Sequence, residues 1–122
     1  MIKIYDTLEQ KLKDFVPNKQ KVNMYVCGPT VYGDIHLGNA RPIIFFDIVK
    51  RYLVYKDYKV NYISNITDVD DKIINKAIEL NVSEKEVAEK YTKKYFEVIE
   101  KVGSNKPDII PQATNYIKEM ID

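Results

Sequence analysis

Residues 22–65 constrain the fold most, because the hydrophobic period changes twice within them. The segment VNMYVC (22–27) is a short apolar run rich in β-branched and aromatic residues, which predicts a buried strand. Apolar residues recur at helical spacing from Asn39, and KVNYISN (59–65) predicts a second strand. Strand, loop, helix and strand in this order predict a βαβ crossover with a parallel pair of strands. The predicted fold class is therefore α/β.

The crossover helix is predicted to begin with Asn39 as its N-cap. Pro42 then lies in the first turn, where its missing N–H is not needed. Asp47 and Arg51 are spaced as an i,i+4 ion pair on the polar side of the helix. The apolar residues predicted to share the opposite face are Phe45, Ile48, Val49, Tyr52 and Leu53.

The regions on either side of this unit show weaker signals. Residues 2–5 and 12–16 predict two short strands joined by a turn near residues 7–11, and Pro17 and Asn18 are predicted to end this unit. No repeat or low-complexity tract is present in the sequence.

Helices are predicted in the second half of the chain. Thr67 or Asp68 is suited to cap a helix that ends at Leu80, with Asp70 and Asp71 in its first turn. A capping box of Ser83 and Glu86 begins the next helix, which Gly103 ends, and another helix is predicted from Gln112. The apolar stripe of the helix after Ser83 consists of Val87, Tyr91, Tyr95, Val98, Ile99 and Val102.

Composition limits the function classes. The 122 residues are 45% hydrophobic and 30% charged, which is typical of a soluble globular chain, and no apolar run approaches the roughly 20 residues of a membrane span. A net charge of +1 neither indicates nor excludes nucleic acid as a partner. The single cysteine makes no internal disulfide, so a reducing cytoplasm is expected.

A ligand site is predicted where the two parallel strands end. Cys27 and Gly28 follow the first strand, residues 65–67 follow the second, and ligands bind beyond the carboxyl ends of such strands. The crossover helix begins at the same edge, where its free N–H groups suit a phosphate, with His36 and Asn39 beside them. The loop is therefore expected to form one wall of a nucleotide site, although it carries neither a dinucleotide fingerprint nor a P-loop.

Each of these residues also has a plainer interpretation. A lone strand cysteine such as Cys27 is commonly a buried small hydrophobe, and a lone loop histidine is more often structural than functional. Asp68, Asp70 and Asp71 suggest a divalent-metal site, but helix capping explains them better. The tyrosines of the apolar stripe are expected in the core and not on an RNA-stacking surface.

The tetrapeptide at 36–39, HLGN, is a variant of the H-x-G-H signature of class I aminoacyl-tRNA synthetases, with asparagine at its last position. MYVCGPTVYGDIHLGNARP (24–42) and NITDVDDKI (65–73) closely resemble the N-terminal part of the catalytic domain of the cysteinyl-tRNA synthetase family. The opening IKIYDTLEQKLKDF (2–15) is similar to that family's first hairpin. The resemblance covers nearly the whole chain.

This resemblance implies a Rossmann-like parallel sheet, incomplete here, with an N-terminal β-hairpin and a helical C-terminal part. All of residues 1–122 would belong to the N-terminal part of that catalytic domain. Within it we expect a hairpin and linker at 1–20, a nucleotide- and cysteine-binding βαβ unit with its following helix at 22–80, and helices leading towards an insertion at 83–122.

The resemblance also implies roles for individual residues. Cys27 matches the first of four zinc ligands, the others being expected outside this chain. Gly28 and Thr67 match positions that contact the substrate cysteine. The segment from Pro29 to Asn39 matches the ATP-binding signature and includes Thr30. Its principal residues are His36, Gly38 and Asn39, and we expect His36 and Asn39 to act in catalysis.

The reaction implied is activation of cysteine with ATP and Mg²⁺ and its transfer to tRNA(Cys) by a monomeric cytoplasmic enzyme. A K-M-S-K-S loop and an anticodon-binding region are expected outside this chain, and without them these residues alone are expected to be inactive. Asn39 still donates a hydrogen bond to phosphate but is never protonated. Two alternatives remain open, namely a non-catalytic paralogue and a cysteine ligase acting on a small amine.

Overall fold

A computed structural model of the chain describes residues 2–17 and 20–122. Strands β1 (Lys3–Asp6) and β2 (Lys11–Asp14) form an antiparallel hairpin around a turn at residues 7–10, which confirms the predicted unit to within one or two residues. Pro17 lies beyond the hairpin without regular structure, and Asn18, predicted to end it, is outside the described residues.

The βαβ crossover is confirmed. Strand β3 (Lys21–Val26) leads through a loop into helix α1 (Leu37–Tyr55), and strand β4 (Lys59–Ser64) returns parallel to β3. The pairing runs from Lys21 opposite Lys59 to Val26 opposite Ser64, so the two strands end at the same edge.

A later segment adds to the free side of β4. The Ser64 N–H donates to the Ile109 carbonyl at 3.1 Å, and the Ile66 N–H donates to the Pro111 carbonyl at 2.8 Å. Asp108 fixes this segment, because its carboxylate accepts from Lys50 Nζ at 2.6 Å and from the Tyr62 N–H at 2.8 Å. Residues 108–112 therefore extend the parallel sheet.

Residues 22–27 were predicted to form a strand that is buried on both faces. The strand is present, but it is not buried on both faces. Val22 is buried, but alternate residues of β3 and also Cys27 are exposed. The reason is that β3 pairs only with β4 in the described part of the chain and packs with one face alone.

The predicted N-cap of α1 is also wrong, and of the predicted apolar face only Leu53 is buried. His36 is the N-cap and not Asn39, so Pro42 lies in the second turn. The face against the core carries Ala40, Ile43, Asp47 and Leu53, while Phe45, Ile48 and Tyr52 of the predicted apolar face are about half exposed. Apolar residues occur all round this helix, so packing chose the face that is buried.

Asp47 is a charged residue on that buried face. Its Oδ2 accepts from Arg51 Nε at 2.8 Å, which confirms the predicted pair but not its place on the exposed side. Arg51 also donates to the Gly103 carbonyl at 3.0 Å, which joins α1 to the end of the helix before Gly103.

Helix α2 (Asp71–Leu80) begins one turn later than predicted, because Asp70 is its N-cap and accepts from the Lys72 N–H at 2.9 Å. The predicted caps are used elsewhere: Thr67 extends the pairing of the strand ends, and Asp68 accepts from Thr114. The predicted end at Leu80 is confirmed.

Helix α3 (Glu84–Lys101) confirms the capping box of Ser83 and Glu86. It ends at Gly103, whose φ of +70° lies in the left-handed region. In place of a regular helix from Gln112, the chain forms a 3₁₀ turn (Ala113–Tyr116) and then the short helix α4 (Ile117–Ile121).

The core lies between α2, α3 and the loop that precedes α1. Tyr91 and Tyr95 are buried in it, as predicted, and burial raises the pKa of Tyr95 to about 12. The buried cluster consists of Val31, Ile43, Ile66, Ile73, Ala77, Val87, Ala88, Tyr91, Tyr95 and Ile99. No helix in the described ranges is both long and apolar enough to span a bilayer.

Candidate functional site

The predicted site edge is built around a close contact between Gly28 and Asn65. The Gly28 N–H donates to Asn65 Oδ1 at 2.9 Å. A methyl group on Gly28 would lie 1.6 Å from the Asn65 carbonyl oxygen, far inside contact distance. Only glycine allows the two strand ends to approach this closely.

Beyond this contact, the loop continues the parallel pairing for a few residues. The Thr67 N–H donates to the Pro29 carbonyl at 3.0 Å, and the Val31 N–H donates to the Thr67 carbonyl at 3.2 Å. Thr30 and Thr67 therefore lie opposite each other. Val31 is only 1% exposed, so the loop is anchored in the core.

One ion pair and one cation–π contact connect the outer part of the loop to the helices. Lys94 of α3 pairs with Asp34, and the hydrogen bond from this lysine lowers the pKa of the Asp34 carboxyl below its usual value. Lys72 of α2 lies 5.3 Å from the centre of the Tyr32 ring. Both pairs are solvent-exposed, so they position the loop more than they stabilise the fold.

His36 ends the loop and caps α1. Its Nδ1 accepts from the Gly38 N–H at 3.0 Å, and its carbonyl accepts from the Asn39 and Ala40 N–H groups at 2.9 and 3.1 Å. Because Nδ1 is an acceptor here, the neutral imidazole carries its proton on Nε2, which is left as a donor for a ligand. A side chain on Gly38 would lie 2.8 Å from His36 Cε1 and would displace the ring.

Three of the predicted site residues share one cavity. Cys27, Gly28 and Asn39 line a space of about 80 Å³ between β3, the loop and α1. This volume suits a group of a few atoms, whereas a whole nucleotide needs several hundred Å³. The structure does not bring Thr30, His36, Gly38 or Thr67 to the wall of this cavity.

The cavity is also lined by three hydroxyl-bearing residues that the sequence did not indicate as site residues. They are Tyr62, Ser64 and Tyr95. Burial, together with the negative charge of Asp47, raises the pKa of Tyr62, so both tyrosines are neutral near pH 7. Alternation along β4 placed Tyr62 and Ser64 on one face, and this was the only available sign of them.

Cys27 is exposed, which contradicts its interpretation as a buried small hydrophobe. Across residues 2–17 and 20–122, no three His, Cys, Asp or Glu side chains come close enough to hold a metal ion. Cys27 is thus accessible as a ligand, but its neighbours in these ranges do not complete a tetrahedral metal site with it. Asp70 caps α2, as expected for helix capping, and Asp68 binds Thr114.

Comparison with known proteins assigns the family. The family model described as the class I (C) tRNA synthetase catalytic domain matches residues 14–122. The chain belongs to this family. It is 60% identical over 122 residues to a cysteine--tRNA ligase of Acholeplasma laidlawii, covering 99% of this chain and 28% of that protein.

Further relatives carry the same name as that ligase. The cysteine--tRNA ligase of Fusobacterium nucleatum is 60% identical over 124 residues, covering 100% of this chain and 26% of the relative. The ligase of Clostridioides difficile is 50% identical over 122 residues, covering 99% of this chain and 26% of the relative. This member of the class I synthetase family thus spans roughly a quarter of the length of these relatives.

Proposed function

We propose that the chain supplies the N-terminal part of the catalytic domain of a cysteine--tRNA ligase, with β3, α1 and β4 as part of an incomplete Rossmann-like sheet. The observation that carries this proposal is the HLGN tetrapeptide, which caps α1 beside the paired ends of β3 and β4. Identity of 60% to two proteins of that name supports it. The enzyme would act as a cytoplasmic monomer on ATP, cysteine and tRNA(Cys).

In the first step, a carboxylate oxygen of cysteine attacks the α-phosphorus of ATP, and pyrophosphate leaves. Mg²⁺ bound to ATP would offset the negative charge of the phosphates. His36 Nε2, the Gly38 backbone and the Asn39 amide would hold the phosphates at the N-terminus of α1, and Thr30 of the preceding loop would also bind ATP. Their contribution is electrostatic and positional. In the second step, a hydroxyl of the terminal ribose of tRNA(Cys) attacks the cysteinyl carbonyl, and AMP leaves.

The cysteine would be bound near Cys27, Gly28 and Thr67. A zinc ion held by Cys27 and by ligands outside this chain would offer a coordination position that a thiolate fills far better than the hydroxyl of serine. The small cavity beside Cys27, which Tyr62, Ser64 and Tyr95 also line, suits a short side chain. Selection of cysteine would then need no editing step.

Cysteine-dependent exchange of pyrophosphate into ATP by the full-length protein tests this function. His36→Ala is expected to lower the exchange rate about 10²-fold or more, as removal of a transition-state donor does. His36→Asn is the matched variant, because asparagine also caps a helix but lacks the imidazole; we expect the same loss of exchange with the fold retained.

Other outcomes would contradict the proposal. Exchange at the unmutated rate in His36→Ala would remove the histidine from the reaction. Absence of any exchange in the wild type would favour the non-catalytic paralogue, and ligation of cysteine to a small amine in preference to tRNA would favour the amine ligase.

A further inference from the structure

Asn65 connects the two positions proposed to contact cysteine. Its Oδ1 accepts from the Gly28 N–H at 2.9 Å and from the Tyr25 hydroxyl at 3.0 Å. Its Nδ2 donates to Thr67 Oγ1 at 3.2 Å. One side chain therefore ties the end of β3 to the threonine beyond β4.

These contacts determine which way the amide of Asn65 faces. A backbone N–H is only a donor, so the atom facing Gly28 must be the amide oxygen. The amide nitrogen then faces Thr67, and because it too is only a donor, the Thr67 hydroxyl must accept. The hydroxyl proton of Thr67 is thereby left free to point away from Asn65.

Both backbone groups of Thr67 pair with the loop, so its N–H has no proton left for a ligand. Its N–H donates to the Pro29 carbonyl and its carbonyl accepts from the Val31 N–H. The hydroxyl is therefore the remaining donor of this half-buried residue, because its oxygen accepts from Asn65 and its proton is uncommitted. The strong acceptor of a free amino acid is its carboxylate, since its ammonium group only donates.

We propose that Asn65 is a positioning residue that presents the Thr67 hydroxyl as a hydrogen-bond donor to the carboxylate of the substrate cysteine. This inference rests on the proposed function. Asn65 acts through Thr67 and does not itself contact the substrate.

Asn65→Asp tests whether the Thr67 hydroxyl must act as a donor towards the substrate. The carboxylate still accepts from Gly28 and Tyr25, but it no longer donates, so the Thr67 hydroxyl turns its proton towards it and offers the substrate only lone pairs. Loss of a hydrogen bond to a charged group should raise the KM for cysteine by about 10-fold or more. The KM for ATP should stay within about twofold, because the N-terminus of α1 is unchanged.

Two control variants distinguish loss of the Thr67 donor from the effect of an added negative charge and from destabilisation of the fold. Asn61→Asp makes the same substitution four residues earlier, within β4. There the asparagine side chain has one hydrogen bond among the described residues, to Asn23 at 3.5 Å, and the variant should leave the KM for cysteine unchanged. Asn65→Ser removes the amide donor without adding charge and should raise that KM about threefold or more. It also carries the test if the aspartate variant fails to fold.

The deciding measurement is a double-mutant cycle with Thr67→Val in the full-length protein, followed by pyrophosphate exchange at varied cysteine and ATP. If Asn65 acts through the hydroxyl, adding Asn65→Asp to the Thr67→Val variant should raise the KM for cysteine by less than about threefold. An equal increase in both backgrounds, or an unchanged KM in Asn65→Asp and Asn65→Ser, would overturn the inference while leaving the proposed function intact. A wild type without cysteine-dependent exchange would overturn both.

Discussion

Substituting Gly28 by alanine should open the edge at which the site is built. The new methyl carbon would lie 1.6 Å from the Asn65 carbonyl oxygen, and real contacts of this kind are at least 3.0 Å long. The strand ends must therefore separate by about 1.4 Å, the difference between these distances. The atom in the way is backbone, so no side-chain rotation relieves the clash.

The cost follows from the hydrogen bonds across this edge. A separation of that size breaks the bond from Gly28 to Asn65 and the two backbone bonds that join Thr67 to Pro29 and Val31. At roughly 1 kcal/mol for each bond, Gly28→Ala should lower the free energy of unfolding by about 3 kcal/mol. Urea unfolding followed by circular dichroism measures this quantity.

Gly33→Ala is the matched control, five residues later in the same loop. No described atom lies within 4 Å of the added carbon, and the φ of Gly33 is outside the left-handed region. This variant should be neutral or up to about 1 kcal/mol more stable, since alanine restricts the unfolded chain. Equal stability of the two variants would refute the argument that the close contact at Gly28 requires glycine.

Three further predictions follow from single side chains. Asn39→Ala should lower the rate of adenylate formation but not the melting temperature, because the helix cap is His36. Asn39→His should keep activity. A lowered melting temperature in Asn39→Ala would show that Asn39 is the cap after all. Cys27→Ser in the full-length protein should reduce both zinc content after dialysis and cysteine activation, and one tightly bound zinc with normal activation would contradict the proposed ligand. Burial tends to raise the pKa of Asp108, but the hydrogen bonds from Lys50 and the Tyr62 N–H outweigh burial and lower the pKa. The ionised carboxylate should therefore stabilise the fold at neutral pH, and this contribution should be lost as the pH falls through and below about 3.8. Urea midpoints measured from pH 7 downwards should therefore fall less in Asp108→Asn than in the wild type, and identical profiles would contradict this.

Sequence patterns correctly predicted those structural features that depend on residues close together in the chain. The capping box of Ser83 and Glu86 and the stop at Gly103 depend on residues three or four positions apart, and both are confirmed. The βαβ order was predictable because strands and helices differ in hydrophobic period, and parallel strands need a long crossover between them.

The sequence predicted where in the fold the candidate site lies, but not the hydrogen bonds within it. Parallel strands bring their carboxyl ends to one edge, so Cys27, Gly28 and Thr67 were expected near each other from the order of the elements alone. The hydrogen bonds of Asn65 were not predictable, because they depend on atoms 37 residues apart in the chain. The cap was misassigned because histidine and asparagine both offer an acceptor near the start of α1, and the local sequence does not decide between them.

The sequence by itself determined the type and order of the helices and strands as far as Gly103, because backbone preferences and hydrophobic period act over a few residues. The tertiary structure alone decided which face of α1 is buried. That helix is apolar around most of its circumference, and it buries Asp47, paired with Arg51, in place of Phe45 and Tyr52. Burial depends on what lies opposite a side chain, and the residues opposite α1 belong to β4 and α3, which the sequence of the helix itself does not specify.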